Sequence, residues 1–227
     1  MNVVRDAVSS FGRRARRGRF DTIIRPLLDQ WFSRGQELRV LDIGGTHRYW
    51  ETVCDLCQHR LNIEALNLSH ENLGETFEGG NVRVVATQGD ATKLGSDRDY
   101  DLVYSNSVIE HLGTLERMQE FASSATRLGS YFIVQTPNRY FPIEPHYAFP
   151  YAQFLPVRAR ARLGQLWHQG FRWRSFESAL EHARELRLLS EAELLQLFPK
   201  GTIHRERAGG LVKSIIVSGA REGRAAL

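Results

Sequence analysis

The sequence predicts an α/β fold, a largely parallel sheet with helices on both faces, and three observations predict it. Short β-rich runs alternate with helical patterns as far as Gln135, a pair of glycines follows the first strand at once, and the last patterned stretch reads as an antiparallel hairpin. Parallel neighbours need long crossover connections, so a strand-helix-strand rhythm implies them.

The elements follow in order. Phe20 to Phe32 carries a helical apolar period and leads in; Leu38 to Ile43 is the first strand, followed by helical His47 to Gln58. Ile63 to Leu68 is the second strand, Glu71 to Phe77 a helix, Val82 to Thr87 the third strand and Tyr100 to Ser105 the fourth. Thr114 to Leu128 is helical and Tyr131 to Gln135 the fifth strand. Each strand is β-rich and bounded by Gly, Asn, Asp or Pro. Five of the seven prolines then fall between Pro137 and Pro156, where neither helix nor central strand forms readily. A helix or two follows. Ser190 with Glu193 makes a capping box before "LLQLF", and "GTIHRER" and "LVKSIIVSG", separated by "AGG", make the hairpin.

The 227 residues are 42% hydrophobic, enough for one good-sized core, and no Ser/Gly-rich linker divides them. No apolar run approaches the roughly 18 to 20 residues of a membrane span, and the first residues lack the apolar centre of a secretory signal. Cys54 and Cys57 give no disulfide framework and fit a reducing compartment, so a cytoplasmic protein is expected. The net charge is only +4, but arginines cluster in "RRARRGR" (Arg13 to Arg19) and in "VRARARLGQLWHQGFRWR" (Val157 to Arg174), the latter with Trp167, Phe171 and Trp173. Contact with phosphates or an anionic membrane surface is one reading, a solvated helix face the other. The aromatics could stack on bases, although nucleic acid is not the expected partner.

The stretch "LRVLDIGGTHRYW" holds the most information. Glycines directly after a parallel strand let a ligand approach the backbone, and Asp42 beside them suits a cationic ligand and repels a pyrophosphate. The G-x-G-x-x-G fingerprint of dinucleotide enzymes is missing, which disfavours a nicotinamide-dependent dehydrogenase. "VLDIGGT", "LNLSHENL", "GDATKL" and "YDLVYSNSVIEHL", in this order, resemble the successive motifs of small single-domain class I S-adenosylmethionine-dependent methyltransferases, and the chain from "LSEAELLQLF" to Gly219 is similar to the closing helix and hairpin of bacterial members.

That resemblance implies a Rossmann-like seven-stranded sheet of order 3-2-1-4-5-7-6 with strand 7 antiparallel, and S-adenosyl-L-methionine as cofactor. It implies a basic lead-in over residues 1–35 and a methyltransferase domain over 36–227, with a substrate-side insertion at about 137–188. Asp42, Gly44, Gly45 and Thr46 are expected at the donor's amino-acid end, Asn67 and Leu68 at its ribose, Asp90 and Ala91 at its adenine, and Ser105 and Asn106 along its edge. Asn67 stands where the family usually has an acid, and Thr46 and Arg48 where glycines are common. The basic N-terminus is expected to leave donor binding alone.

Methyl transfer to a hydroxyl needs alignment and a base. Two histidine-carboxylate pairs qualify, Glu110-His111 and Glu144-Pro-His146, with His146 slightly preferred because Glu144 two residues away can raise its basicity. Either pair can equally brace its loop. Cys54 and Cys57 lack a second C-x-x-C, so no metal is expected. The N/D-P-P-Y/F signature of base and glutamine methylation is absent, which favours a hydroxyl on a sugar, a lipid-linked glycan or another small metabolite. A scaffold that keeps the fold without turnover, and an RNA-directed methyltransferase, are the alternatives.

Overall fold

The computed structural model of the protein describes residues 12–69, 75–95, 99–166 and 175–221. The first eleven residues, His70, the expected helix up to residue 74, and Trp167, Phe171 and Trp173 lie outside the described residues. One eight-stranded sheet has the order β3-β4-β2-β1-β5-β6-β10-β9. Its strands are β1 (Glu37–Ile43), β2 (Arg60–Asn67), β3 (Phe77–Gly79), β4 (Val82–Gln88), β5 (Tyr100–Asn106), β6 (Gly129–Pro137), β9 (Thr202–Ala208) and β10 (Leu211–Ala220). The seven expected positions are all filled in the expected order, and β3 is an eighth strand at one edge. The sequence reading had ended a helix at Phe77. In the structure Phe77 pairs antiparallel with Val84.

The chain divides into two compact units. The first contains residues up to Asn106, Ser124–Ile133 and the chain from Gly219. Here β1 lies parallel to both β2 and β5, and β2 parallel to β4. Leu38, Val40, Leu41, Leu61, Ile63, Val84, Leu102 and Val103 are almost wholly buried, as the near-continuous apolar runs of parallel strands require. A helix leads in: α1 (residues 12–19) passes through a five-residue π-helical segment, Phe20–Ile24, into α2 (Arg25–Trp31). Pro26 has no N–H to give the turn before it, and the wider π turn absorbs that defect. Phe20, Ile24, Leu27 and Leu28 form its buried stripe, and Trp31 stacks on Tyr131 with centroids 4.7 Å apart. The helix after β1 is α3 (His47–Val53), which tightens into a 3₁₀ turn at Cys54–Leu56 and stops short of the expected Gln58.

The second unit holds Ser107–Ser123 and Val134–Ser218. A 3₁₀ turn, Ile109–His111, precedes α4 (Leu115–Leu128). The proline-rich stretch makes a two-strand ribbon, β7 (Ile143–Glu144) with β8 (Phe149–Pro150), and a 3₁₀ turn at Ala152–Phe154. Helices α5 (Val157–Leu166) and α6 (Phe176–Glu185) follow. The expected capping box is present at α7 (Glu191–Leu197): Glu193 N donates to Ser190 Oγ at 3.3 Å and Ser190 N to Glu193 Oε2 at 2.9 Å. Strands β9 and β10 pair antiparallel across Gly209 and Gly210, both in left-handed backbone, which is why two glycines stand at the turn.

Candidate active site

In the first unit, a cavity of about 410 Å³ opens at the C-terminal end of β1. It is lined by Asp42, Gly44, Gly45, Thr46 and Asn106, and also by Arg16, Arg48, Tyr49 and Tyr104. Gly44 is in left-handed backbone, and its N–H donates to Leu66 O at 2.8 Å, tying the turn to β2. The Asp42 carboxyl is buried and lies against the Cα of Gly45; a Cβ there would fall inside its van der Waals envelope. Asp42 Oδ2 accepts from Trp50 Nε1 at 2.7 Å, while Oδ1 has no partner among the described residues. Burial pushes this carboxyl up to about 7, against the pull of the Trp50 bond.

Asn67 explains its own departure from an acid. Its Nδ2 donates to Gly45 O at 2.7 Å, so the end of β2 clamps the glycine turn. A carboxylate there would face a carbonyl oxygen with no proton to offer. Asn67→Asp is therefore expected to lower stability by about 1 to 3 kcal/mol near neutral pH. Thermal unfolding at pH about 7 and about 4 checks this: protonating the new acid should recover part of the loss.

Other residues expected at the donor have bonds of their own. Ser105 is fully buried and its hydroxyl donates to Ile43 O at 3.0 Å, so it stitches β5 to β1. Strand alternation gives the reason: Tyr104 and Asn106 share the cavity face, and Ser105 must point the other way. Asp90 caps the short 3₁₀ turn Ala91–Lys93, accepting from Thr92 N at 3.0 Å and Thr92 Oγ1 at 2.7 Å. Ala91 is buried within that turn, and Leu68 is exposed.

The arginine run is mostly consumed by the fold. Arg17 makes a two-pronged pair with Asp55 at 2.6 and 2.7 Å, Arg19 is buried, and Arg16 lines the cavity with its Nε unpartnered among the described residues. Burial, then the nearness of Arg19, pulls the Arg16 guanidinium below its ordinary value. Arg16 thus brings the leading helix to the edge of the cavity. The cavity lining carries one acid, Asp42, and two arginines, Arg16 and Arg48, groups that suit an ammonium and a carboxylate carried by a single ligand. Tyr49 and Tyr104 stack at 5.4 Å, with Tyr104 Oη donating to Tyr49 Oη at 2.7 Å; burial raises both phenols, Tyr49 to about 12, so both stay neutral. A larger depression of about 660 Å³ on the sheet face touches Arg39, Asn62, Glu64 and Tyr100, but these pair off: Tyr100 with Glu64, Arg39 over the Tyr100 ring, and Asn62 with Glu37.

The second unit gathers the histidines. His146 Nδ1 bonds Glu144 Oε1 at 2.7 Å, and His146 Nε2 bonds His111 Nε2 at 3.1 Å. Glu144 is wholly buried and also accepts from Tyr147 N at 2.6 Å, which holds it in place behind the imidazole. Beside them Glu110 is buried, accepts from Thr136 Oγ1 at 2.9 Å, and is pushed up to about 7 by burial. His182, from α6, brings a third ring 6.0 Å from His111 and 6.3 Å from His146. Nothing in the sequence near His111 or His146 signalled it. Burial first, then the two neighbouring rings, brings His111 down to about 4.

The preference for His146 as base changes here, because both its ring nitrogens are already bonded. His111 Nδ1 is the one end of the Glu144–His146–His111 chain without a bonded partner among the described residues. Glu110, His111 and His146 also present ligand atoms within 4.8 Å of one another.

The sequence from 13 to 203 matches the family model described as "Methyltransferase domain". No curated protein matches the sequence. Among solved structures, the chain is similar to magnesium protoporphyrin IX methyltransferase from Synechocystis PCC 6803 with bound SAH, at 15% identity and a TM-score of 0.59, over 98% of this chain and 89% of that one. It is also similar to an S-adenosylmethionine-dependent methyltransferase from Clostridium acetobutylicum ATCC 824 (11% identity, TM-score 0.57, 98% and 100% covered). A third is the N-terminal domain of EvdMO1, solved in the presence of SAH and D-fucose (15%, 0.50, 87% and 81%). With the expected strand order in place and the family model covering most of its length, the chain belongs to the class I S-adenosylmethionine-dependent methyltransferases.

Proposed function

We propose that this enzyme methylates a hydroxyl of a small-molecule acceptor, a sugar or lipid-linked glycan, and that His111 receives the hydroxyl proton. The observation that carries this reading is the Glu144–His146–His111 chain with its single unbonded nitrogen. The donor supplies, when bound, an electrophilic methyl group on a sulfonium. Everything else falls to the protein's own groups. As His111 Nδ1 takes the acceptor proton, His111 Nε2–H passes its own to His146 Nε2, and the imidazolium comes to rest against the Glu144 carboxylate. The buried His111 ring, whose proton affinity is low, ends neutral. D-fucose in the EvdMO1 structure supports sugars as the first acceptors to try. The free thiols of Cys54 and Cys57 support a reducing, cytoplasmic setting.

At the donor cavity, Asp42 is assigned to the ammonium and Arg16 with Arg48 to the carboxylate of the methionine moiety. The unpartnered Asp42 Oδ1 fits that assignment. A bound cation would hold Asp42 ionised, whereas the free enzyme half-protonates it at about 7. Binding then releases a proton, so donor affinity should rise with pH up to about 7 and flatten above, changing up to about tenfold per unit below it. Calorimetry with S-adenosylhomocysteine measures this, and Asp42→Ala should remove the slope along with about 1.5 to 3 kcal/mol of binding. A flat profile in the unaltered enzyme would refute the assignment of Asp42.

The acceptor class is tested with methyl-labelled donor and a cell extract fractionated into glycans, lipids, RNA and small metabolites. Label as an alkali-stable ether in the glycan or lipid-linked fraction supports the reading. Label in RNA overturns it, and donor binding without transfer to any fraction identifies a scaffold.

A further inference from the structure

The insertion of the second unit turns an unusual set of side chains outward. Tyr140 is 65% exposed, Tyr151 58% and Phe154 55%, with Ile143 and Leu155 also exposed. They belong to one locality: Tyr140 and Phe154 stack with centroids 6.5 Å apart, Ile143 pairs with Pro150 across the ribbon, and Tyr151 N donates to Pro142 O at 2.8 Å. The exposure does not come from a failure to form a core. Tyr147 and Ala152, immediately alongside, are buried with Leu186 and Leu188. The display is also firmly held, since the Gln153 amide donates to both Arg139 O and Phe141 O at 2.8 and 2.9 Å. Tyr151 stands in left-handed backbone (φ 55°), a strain its exposed ring does not offset by burial within the chain.

Within the segment that carries these rings the charge is almost wholly positive, while α6, packed on α5, exposes Glu177, Glu181 and Glu185. Between Asn138 and Leu166 the only acid is Glu144, which is buried against His146. Of the four arginines there, Arg139 is held by Glu193 and Leu188 O, and Arg160 by Leu186 O. Arg158 and Arg162 remain, one turn apart on α5, exposed and without an ion pair among the described residues, Arg162 with its guanidinium 6.0 Å from the centre of the Phe176 ring. In the N-terminal run Arg16, Arg17 and Arg19 are engaged inside the first unit, which leaves Arg13 and Arg14 exposed but without exposed aromatic rings beside them in the run.

We propose that this face of the insertion, with Tyr140, Tyr151 and Phe154 beside Arg158 and Arg162, docks on the surface of an anionic lipid bilayer. Tyrosine and phenylalanine rings suit the headgroup boundary, and unpaired guanidiniums suit lipid phosphates, while exposed acids, which an anionic surface would repel, are absent from the segment. No described helix is long and apolar enough to cross a membrane, so the contact is peripheral. The inference stands apart from the acceptor assignment, because binding to vesicles requires no methyl transfer.

The test is sedimentation of the full chain with vesicles of phosphatidylcholine alone and of phosphatidylcholine mixed equally with phosphatidylglycerol. Binding is expected to the mixed vesicles, and to weaken as salt is raised. The paired variants Tyr151→Ser with Phe154→Ser, and Arg158→Glu with Arg162→Glu, should each lower the partition by about tenfold or more. Arg158→Lys with Arg162→Lys should retain it, and S-adenosylhomocysteine affinity, measured in each variant, confirms a native fold. Failure to bind mixed vesicles, or binding untouched by both variants but lost in Arg13→Glu with Arg14→Glu, overturns the proposal. So does a concentration-dependent dimer that the same variants dissociate, since the face would then be covered by a second copy.

Discussion

Replacing His111 by alanine should lower turnover by about 10²- to 10⁴-fold, the usual worth of general-base help, and leave S-adenosylhomocysteine affinity within a factor of about two. The loss follows from removing the only nitrogen of the Glu144–His146–His111 chain that has no bonded partner. His146 acts through His111. In His146→Ala the acceptor's proton must stay on His111, which burial holds below its ordinary proton affinity. The plateau of kcat should therefore fall while S-adenosylhomocysteine affinity stays within a factor of about two. Normal turnover in His111→Ala together with its loss in His146→Ala would return the base to His146. Normal turnover in both would mean that alignment alone carries the reaction.

Gly45→Ala should be the most damaging change at the donor cavity. Its Cβ needs the space of the Asp42 carboxyl, and that group cannot retreat without giving up the Trp50 bond in a buried site. Overpacking plus a lost charge-assisted bond amounts to about 3 to 5 kcal/mol, or roughly 10 °C in Tm for a chain of this length. The second substitution is the informative one. Asp42→Ala empties the contested space, so the double variant should be more stable than Gly45→Ala alone, whereas loss of a shared contact would leave it no more stable than either single variant. If the two losses simply add, the contact between this glycine and this acid is not what limits position 45.

The framework was legible because it rests on local pattern. Buried parallel strands are apolar along most of their length, and a hairpin turn in left-handed backbone favours glycine; both are visible in one dimension. Ser190 and Glu193 were legible for the same reason, three residues apart with reciprocal bonds. The donor cavity was half legible. Asp42, Gly44, Gly45, Thr46 and Asn106, named from sequence, line one cavity, whereas Ser105 does not, because the period of two turns adjacent residues of a strand to opposite faces and gives that place to Tyr104. Arg16 and His182 were beyond reach, each arriving from a helix remote in sequence, and a run of arginines looks the same whether it faces solvent or a cavity. Phe77 carried no helical period of its own, and its pairing with Val84 is made across a turn.

The stacking of Trp31 on Tyr131 has a consequence for the birth of the chain. At about 5 to 20 residues per second, a ribosome adds the intervening hundred residues in roughly 5 to 20 seconds. Throughout that interval the leading helix has no tyrosine on which to lay its tryptophan, and the stripe of Phe20, Ile24, Leu27 and Leu28 waits for strands not yet made. Nascent chains halted before Tyr131 should accordingly be bound by apolar-seeking chaperones through this first helix, and those extended past the partner should be let go.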